Sequence, residues 1–322
     1  MVIGAEFVFR KRYVEPVREA TPLILEIQQY LELDSVIGFR WKPNIDASEG
    51  IVFEDGDAVA YPLSTDHLGF INSPQAKADI EAGKRPNIIG VGDSFLEHGA
   101  HVLTEYFAEH DLVYRNMAMH RTSPPQFTDV VEAHALPLKP NLIVYSIYEN
   151  DFQEVADYMN WEDSGLDWFT FHSGTWCGPP LAASATERRA DAWVPGYRSV
   201  YQIVESRIPW HDFRDGQNLG VLPRMNVDMI RAYDIADELG VRLVVLLIPS
   251  RESVLESPSN EAQRYDVMAT PYEGLEFVDL RTVYGEHPDP ASLYYENNGH
   301  WNEVGIKIAA DEILRVYNER YE

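Results

Sequence analysis

An α/β protein built on a parallel sheet with helices on both faces is predicted by three features of the sequence. From residue 87 onward, short apolar runs alternate with segments of helical period. The runs, such as Leu142-Ile143-Val144-Tyr145, are continuously apolar, the pattern of strands buried on both faces. At 322 residues, with 45% hydrophobic and 24% charged side chains, the chain is long enough to bury a full core.

Taken in order, the chain opens with a preamble in which Pro22 to Leu33 has helical spacing, with Leu23, Ile27, Tyr30 and Leu31 at compatible positions. Residues 36–75 mix aromatics with polar and turn-forming residues, as in Gly38-Phe39-Arg40-Trp41, and are expected to be β-rich. Strands are then expected at 87–91, 112–116, 141–147, 241–248 and 275–279, and helices at 97–109, 126–136, 225–239 and 303–318. Five parallel strands in a flavodoxin-like order make a three-layer fold with a site at the carboxyl ends of the strands. Residues 152–223 interrupt the rhythm and carry Trp161, Trp168, Trp176, Trp193 and Trp210 among glycines and prolines. An irregular insertion of that length is read as a lid, a binding wall or a peripheral structural element. The domain reading is an N-terminal helical and β-rich extension over 1–80, followed by an α/β domain over 81–322 that contains the insertion.

The net charge is −26, with arginine outnumbering lysine 20 to 6. That balance argues against binding nucleic acid or anionic membranes through a broad basic face, and suits solubility or a saline habitat. The single cysteine, Cys177, excludes an intrachain disulfide and a cysteine-rich metal centre. Met1 to Arg12 lacks a long apolar run, so no signal peptide is expected and a cytoplasmic location is predicted, with secretion the alternative if a leader has been removed. The run Leu243 to Ile248 is far too short to span a bilayer. The sequence leaves the oligomeric state open.

The chemistry gathers in a few blocks. Asn87-Ile88-Ile89-Gly90-Val91-Gly92-Asp93-Ser94-Phe95 is a buried strand ending on Gly92, with a helical segment beyond it. Ser94 therefore sits where a strand gives way to a helix, and helix-terminal N–H groups there stabilise developing negative charge. Leu142 to Tyr148 is a second apolar strand, ending in Glu149-Asn150-Asp151. Near the carboxyl end stands Glu296-Asn297-Asn298-Gly299-His300-Trp301-Asn302, followed by a helical segment. The sequence contains no Gly-x-Gly-x-x-Gly or Walker phosphate loop, no His-Glu-x-x-His and no Gly-x-Ser-x-Gly elbow.

Together, Gly92-Asp93-Ser94-Phe95, the strand ending in Asn150-Asp151 and Gly299-His300-Trp301-Asn302 resemble the blocks of the SGNH, or GDSL, hydrolases, esterases and acyltransferases with a serine nucleophile. They occur in the family's order, and the resemblance covers roughly 87–151 and 241–318. It implies Ser94 as nucleophile, His300 as general base, and an oxyanion hole from the N–H groups of Ser94 and Ala118 with the Asn150 side chain. Ala118 stands where the family has glycine. Asp93, Asp151 and Glu296 are supporting candidates, while His98, His101, His120 and His134 are read as structural.

One departure is plain. The family usually carries an aspartate two or three residues before the histidine, and here those positions are Asn298 and Asn297. The third member is thus Asn298 in the aspartate's place, Glu296 one residue further back, or absent, which leaves a Ser–His dyad or a catalytically impaired binding module. The expected activity is hydrolysis of an acyl ester, small or carbohydrate-borne, through an acyl-Ser94 intermediate. Acyl transfer to an alcohol or amine, and lipid or thioester hydrolysis, are the alternatives. No metal or organic cofactor is expected.

Overall fold

The computed structural model describes residues 30–46, 51–53, 59–61, 63–172, 221–255, 272, 274–296 and 299–321. The chain divides into two compact units, Met1–Leu33 with Trp161–Gly220, and Asp34–Asn160 with Val221–Glu322. The second carries the sheet and every candidate site residue that is described.

Two short strands, β1 (Leu31–Asp34) and β2 (Gly38–Trp41), come first. The helix expected to run to Leu33 is therefore not helical at its described end. Leu31-Glu32-Leu33-Asp34 alternates with the period of a strand, and the Asp34 carboxylate then accepts from the N–H groups of Val36 (2.7 Å) and Ile37 (3.0 Å), turning the chain. Strands β3 (Ile51–Phe53) and β4 (Val59–Tyr61) pair antiparallel, with Ile51 opposite Tyr61 and Phe53 opposite Val59. Helix α1 (Pro74–Glu81) starts at Ser73, whose hydroxyl accepts from Ala76 N–H, with proline in its first turn.

The alternating pattern then sets in: β5 (Ile88–Val91), α2 (Ser94–Ala108), β6 (Tyr114–Asn116), α3 (Pro124–Val130), β7 (Leu142–Tyr148), α4 (Asp151–Ser164), α5 (Trp168–Phe171), α6 (Val221–Glu238), β8 (Arg242–Ile248), α7 (Arg251–Leu255), β9 (Glu276–Asp279), α8 (Leu280–Gly285) and α9 (Glu303–Tyr321). One π-helical and one 3-10 turn, Val131–Ala135 and Leu136–Leu138, extend α3. The five predicted core strands are all present, shifted by at most two residues. The beginning of the insertion differs from expectation: residues 151–164 form a helix. Phe152, Val155 and Tyr158 recur at helical spacing and are buried, which gives this stretch an apolar face. Trp161 and Trp168 lie in the first unit with their rings edge to face, 5.1 Å apart. Trp176, Trp193, Trp210 and Cys177 lie outside the described residues.

All five strands run parallel in the order β6-β5-β7-β8-β9, the flavodoxin-like arrangement. Register places Ile88 beside Tyr114 and Leu142, and Leu142 beside Arg242. Alternate strand residues point to opposite layers. Ile88, Leu142, Val144, Val244, Leu246 and Val278 pack with Phe95, Leu103 and Phe107 of α2 and Ile306, Ala309 and Ile313 of α9. On the other face, Tyr145 donates to Pro124 O (2.7 Å) and sets its ring against Phe127, beneath α3 and α6.

Ile37, Asp66 and Asn72 are wired into β6 and the segment after it. Asn72 and Asn116 exchange side-chain to backbone bonds of 2.9 and 3.0 Å. Arg115 makes a buried ion pair with Asp66 (2.7 Å), and Gln126 donates to Ile37 O (2.6 Å). Glycine at position 92 follows from close approach: a Cβ there would stand 1.8 Å from Ser146 Oγ of the neighbouring strand.

Candidate active site at the carboxyl edge of the sheet

Ser94 is the first residue of α2, with Asp93 as its N-cap. The Asp93 carboxylate accepts from Phe95 N–H (3.0 Å) and holds the turn that lifts Ser94 off the end of β5. The helix therefore begins three residues earlier than its apolar periodicity indicates, because the cap, not the apolar stripe, decides where it starts. Half-buried Ser94 sits at the positive end of a 15-residue helix.

His300 arrives from a segment 206 residues away, and its Nε2 lies 2.9 Å from Ser94 Oγ. Each neighbour of the histidine helps to place it. Gly299 turns the chain with φ of 72°, a region that favours glycine. The His300 carbonyl accepts from Tyr295 N–H (2.8 Å), and Tyr294 bridges to Trp301. Fully buried Trp301 donates its indole N–H to Phe95 O (2.8 Å), which ties the loop to the turn that carries Ser94. Asn302 caps α9 by accepting from Val304 and Gly305 N–H, and donates back to the carbonyls of Ser292 and Tyr294.

The other predicted residues fall into place unevenly. Asn150 and Asp151 follow the carboxyl end of β7, beside β5. Asn150 Nδ2 donates to Glu154 Oε1 (3.2 Å), one helical turn on, so one of its two amide hydrogens is committed there. Asp151 accepts from Tyr148 N–H (2.8 Å) and clamps the strand-to-helix turn. Ala118 is fully buried, and its N–H points to Asn116 Oδ1 (3.2 Å). The polar side chain two residues back satisfies the donor expected to face an oxyanion, a bond that spacing alone does not reveal. Glu296 is exposed, and its backbone carbonyl accepts from Arg251 (3.2 Å). Asn297 and Asn298 lie outside the described residues.

Burial shapes the electrostatics. Asp93 is pushed up to about 7, chiefly by burial and further by the neighbouring charge of Glu97, against the pull of the Phe95 N–H. Asp151 and Glu154 are raised well above the carboxylate range by burial and by the charge of Asp93. These acids hold protons more tightly than free carboxylates, which limits the negative charge gathered beside Ser94.

Three features escaped sequence reasoning. Glu97 and His120 form a buried pair: Nδ1 lies 3.0 Å from Oε1, and His120 N–H donates to the same carboxylate (2.6 Å). Asp93 and Glu154 form an acidic neighbourhood with Asp151. His98, read as structural, lies with its ring centroid 4.3 Å from that of His300. The signal for His98 was its spacing: four residues after Ser94, it shares that face of the helix. Among the described residues no group of three or more His, Cys, Asp or Glu side chains is placed to hold a metal ion, and no helix is long and apolar enough to cross a membrane.

No family model and no curated protein matches the chain. Solved structures do. A GDSL-like lipase from Bacteroides thetaiotaomicron is 10% identical with a TM-score of 0.42, over 76% of this chain and 97% of that one. An acetylxylan esterase from Geobacillus stearothermophilus, solved as a catalytic mutant, is 12% identical with a TM-score of 0.41, over 71% and 93%. A lipase/acylhydrolase from Enterococcus faecalis is 14% identical with a TM-score of 0.38, over 73% and 96%.

Proposed function

We propose that the chain is a serine esterase of the SGNH type that hydrolyses an acyl ester through an acyl-Ser94 intermediate. The observation that carries this reading is the 2.9 Å approach of His300 Nε2 to Ser94 Oγ at the amino end of α2. A hydroxyl facing an imidazole nitrogen beside helix-terminal N–H groups is the arrangement that acyl transfer needs.

In the first step Ser94 Oγ attacks the ester carbonyl carbon while its proton passes to His300 Nε2. The carbonyl π electrons move onto oxygen. The Ser94 N–H and the second Asn150 amide hydrogen are the donors assigned to that oxyanion, since Ala118 N–H is engaged by Asn116. When the carbonyl re-forms, the bond to the leaving alkoxide breaks and the alkoxide takes the proton from Nε2. Water repeats the sequence on the acyl-enzyme, giving the carboxylic acid and free Ser94. Neither step requires a metal or an organic cofactor.

The test is covalent labelling. A fluorophosphonate is expected to modify Ser94, and Ser94→Ala to abolish both labelling and turnover of p-nitrophenyl acetate. Wild-type turnover retained by Ser94→Ala would falsify the reading. A panel of acetylated sugars, short-chain and long-chain esters and thioesters, run with and without an alcohol or amine acceptor, then assigns the substrate and separates hydrolysis from transfer.

A further inference from the structure

We propose that His98 is a positioning residue for the general base, its imidazole forming a flat wall against the His300 ring that keeps Nε2 turned toward Ser94. The inference rests on the reading of Ser94 and His300 as nucleophile and base, and goes beyond it to how the base is held.

The geometry comes from one turn of helix. Ser94, Phe95 and His98 stand at the start of α2, and the four-residue spacing puts Ser94 and His98 on the same face. The His98 and His300 rings have centroids 4.3 Å apart with planes inclined by 33°. Phe95 meets the same imidazole at 4.8 Å and 35°. Phe95 is itself stacked at 3.9 Å on Tyr148 from the neighbouring strand end, so it is not free to yield. The helix turn that presents the nucleophile thus also presents two rings to its partner. Ring contacts of this kind restrict the tilt of an imidazole without taking a hydrogen bond from it.

Electrostatics make a neutral ring suitable here. Burial holds His98 well below the ordinary histidine range, and the fields of His300 and of His120 lower it further. His300 faces it from the loop before α9. His120, paired with Glu97, faces it from the loop after β6. An uncharged aromatic face lying on a ring that becomes cationic as Ser94 gives up its proton is attractive, whereas a second imidazolium would repel it. In a sequence with asparagine where the family has the orienting aspartate, stacking supplies ring orientation by another means.

The experiment compares His98→Ala, His98→Leu and His98→Phe with the wild type and with Ser94→Ala, using p-nitrophenyl acetate. His98→Ala is expected to lower kcat about 10-fold with KM within about twofold, the pattern of an interaction realised in the transition state and not in substrate binding. His98→Phe restores a flat neutral ring and is expected to stay within about threefold of wild type. His98→Leu fills the space without a flat face and is expected to follow alanine, which keeps the test open if the alanine variant does not fold. Two results overturn the proposal while the esterase reading stands: kcat unchanged in His98→Ala and His98→Leu, or a loss in His98→Phe as large as in the aliphatic variants, each with Ser94→Ala inert. Turnover in Ser94→Ala removes the reading itself and the proposal with it.

Discussion

Asp93→Asn isolates the proton that the turn beside Ser94 holds. Asp93 is 1% exposed, and its carboxyl group is raised from 3.8 to about 7. The folded chain therefore keeps a proton on Asp93 at pH values where the unfolded chain has released it. Stability from this group is fully present below the unfolded value of 3.8 and is lost as pH rises through about 7. At about 1.36 kcal/mol per pH unit, the whole span amounts to about 4 kcal/mol, of which about 2–3 kcal/mol falls between pH ~5 and ~8.5. Asparagine retains an oxygen to cap Phe95 N–H and carries no charge at any pH in that range. The assay is urea unfolding of wild type and Asp93→Asn at both pH values. The wild type is expected to lose more stability on going alkaline, and the variant to lose less by roughly the 2–3 kcal/mol worked out above. Asp151 and Glu154, raised in the same direction, leave the variant with a residual slope. Superimposable pH dependences would refute the argument, because they would mean that Asp93 binds its proton no more tightly folded than unfolded.

Other outcomes follow from single contacts. Asn150→Ala is expected to keep the fold and lower kcat by about 10²-fold, the usual scale for one oxyanion donor, as read by steady-state kinetics on a folded variant. Trp301→Phe removes the donor to the buried Phe95 carbonyl and is expected to cost about 1–3 kcal/mol in urea unfolding, with a fall in kcat as the His300 loop loosens. Arg115→Ala leaves Asp66 buried without its cation, an expected loss of about 3–5 kcal/mol by thermal or urea unfolding. Asn298→Asp restores the carboxylate of the family pattern and is expected to raise kcat/KM at least ~10-fold, with Asn297→Asp doing less. Glu296→Gln, measured beside them, tests whether the glutamate one residue further back already serves His300.

The sequence by itself determined the layered architecture. Apolar runs at Ile88–Val91, Leu142–Tyr145 and Leu243–Ile248, alternating with segments of helical period, suit a sheet covered on both faces, and hydrophobic periodicity is a local property readable from neighbours in the chain. Gly92-Asp93-Ser94 was readable as the point where a strand gives way to a helix, whereas Gly299-His300-Trp301-Asn302 stood out through its resemblance to the histidine block of the SGNH hydrolases. What only the tertiary structure decided depends on neighbours distant in sequence. Nothing local says that Trp301 reaches Phe95, that Asn116 takes the Ala118 N–H, or that His98 lies against the His300 ring. Nor does composition reveal that Asp93, Asp151 and Glu154 bind their protons tightly, because that affinity is set by desolvation and by charges carried in from separate strand ends. Period and capping are written residue by residue, whereas ring contact and proton affinity arise only when the sheet brings its carboxyl ends together.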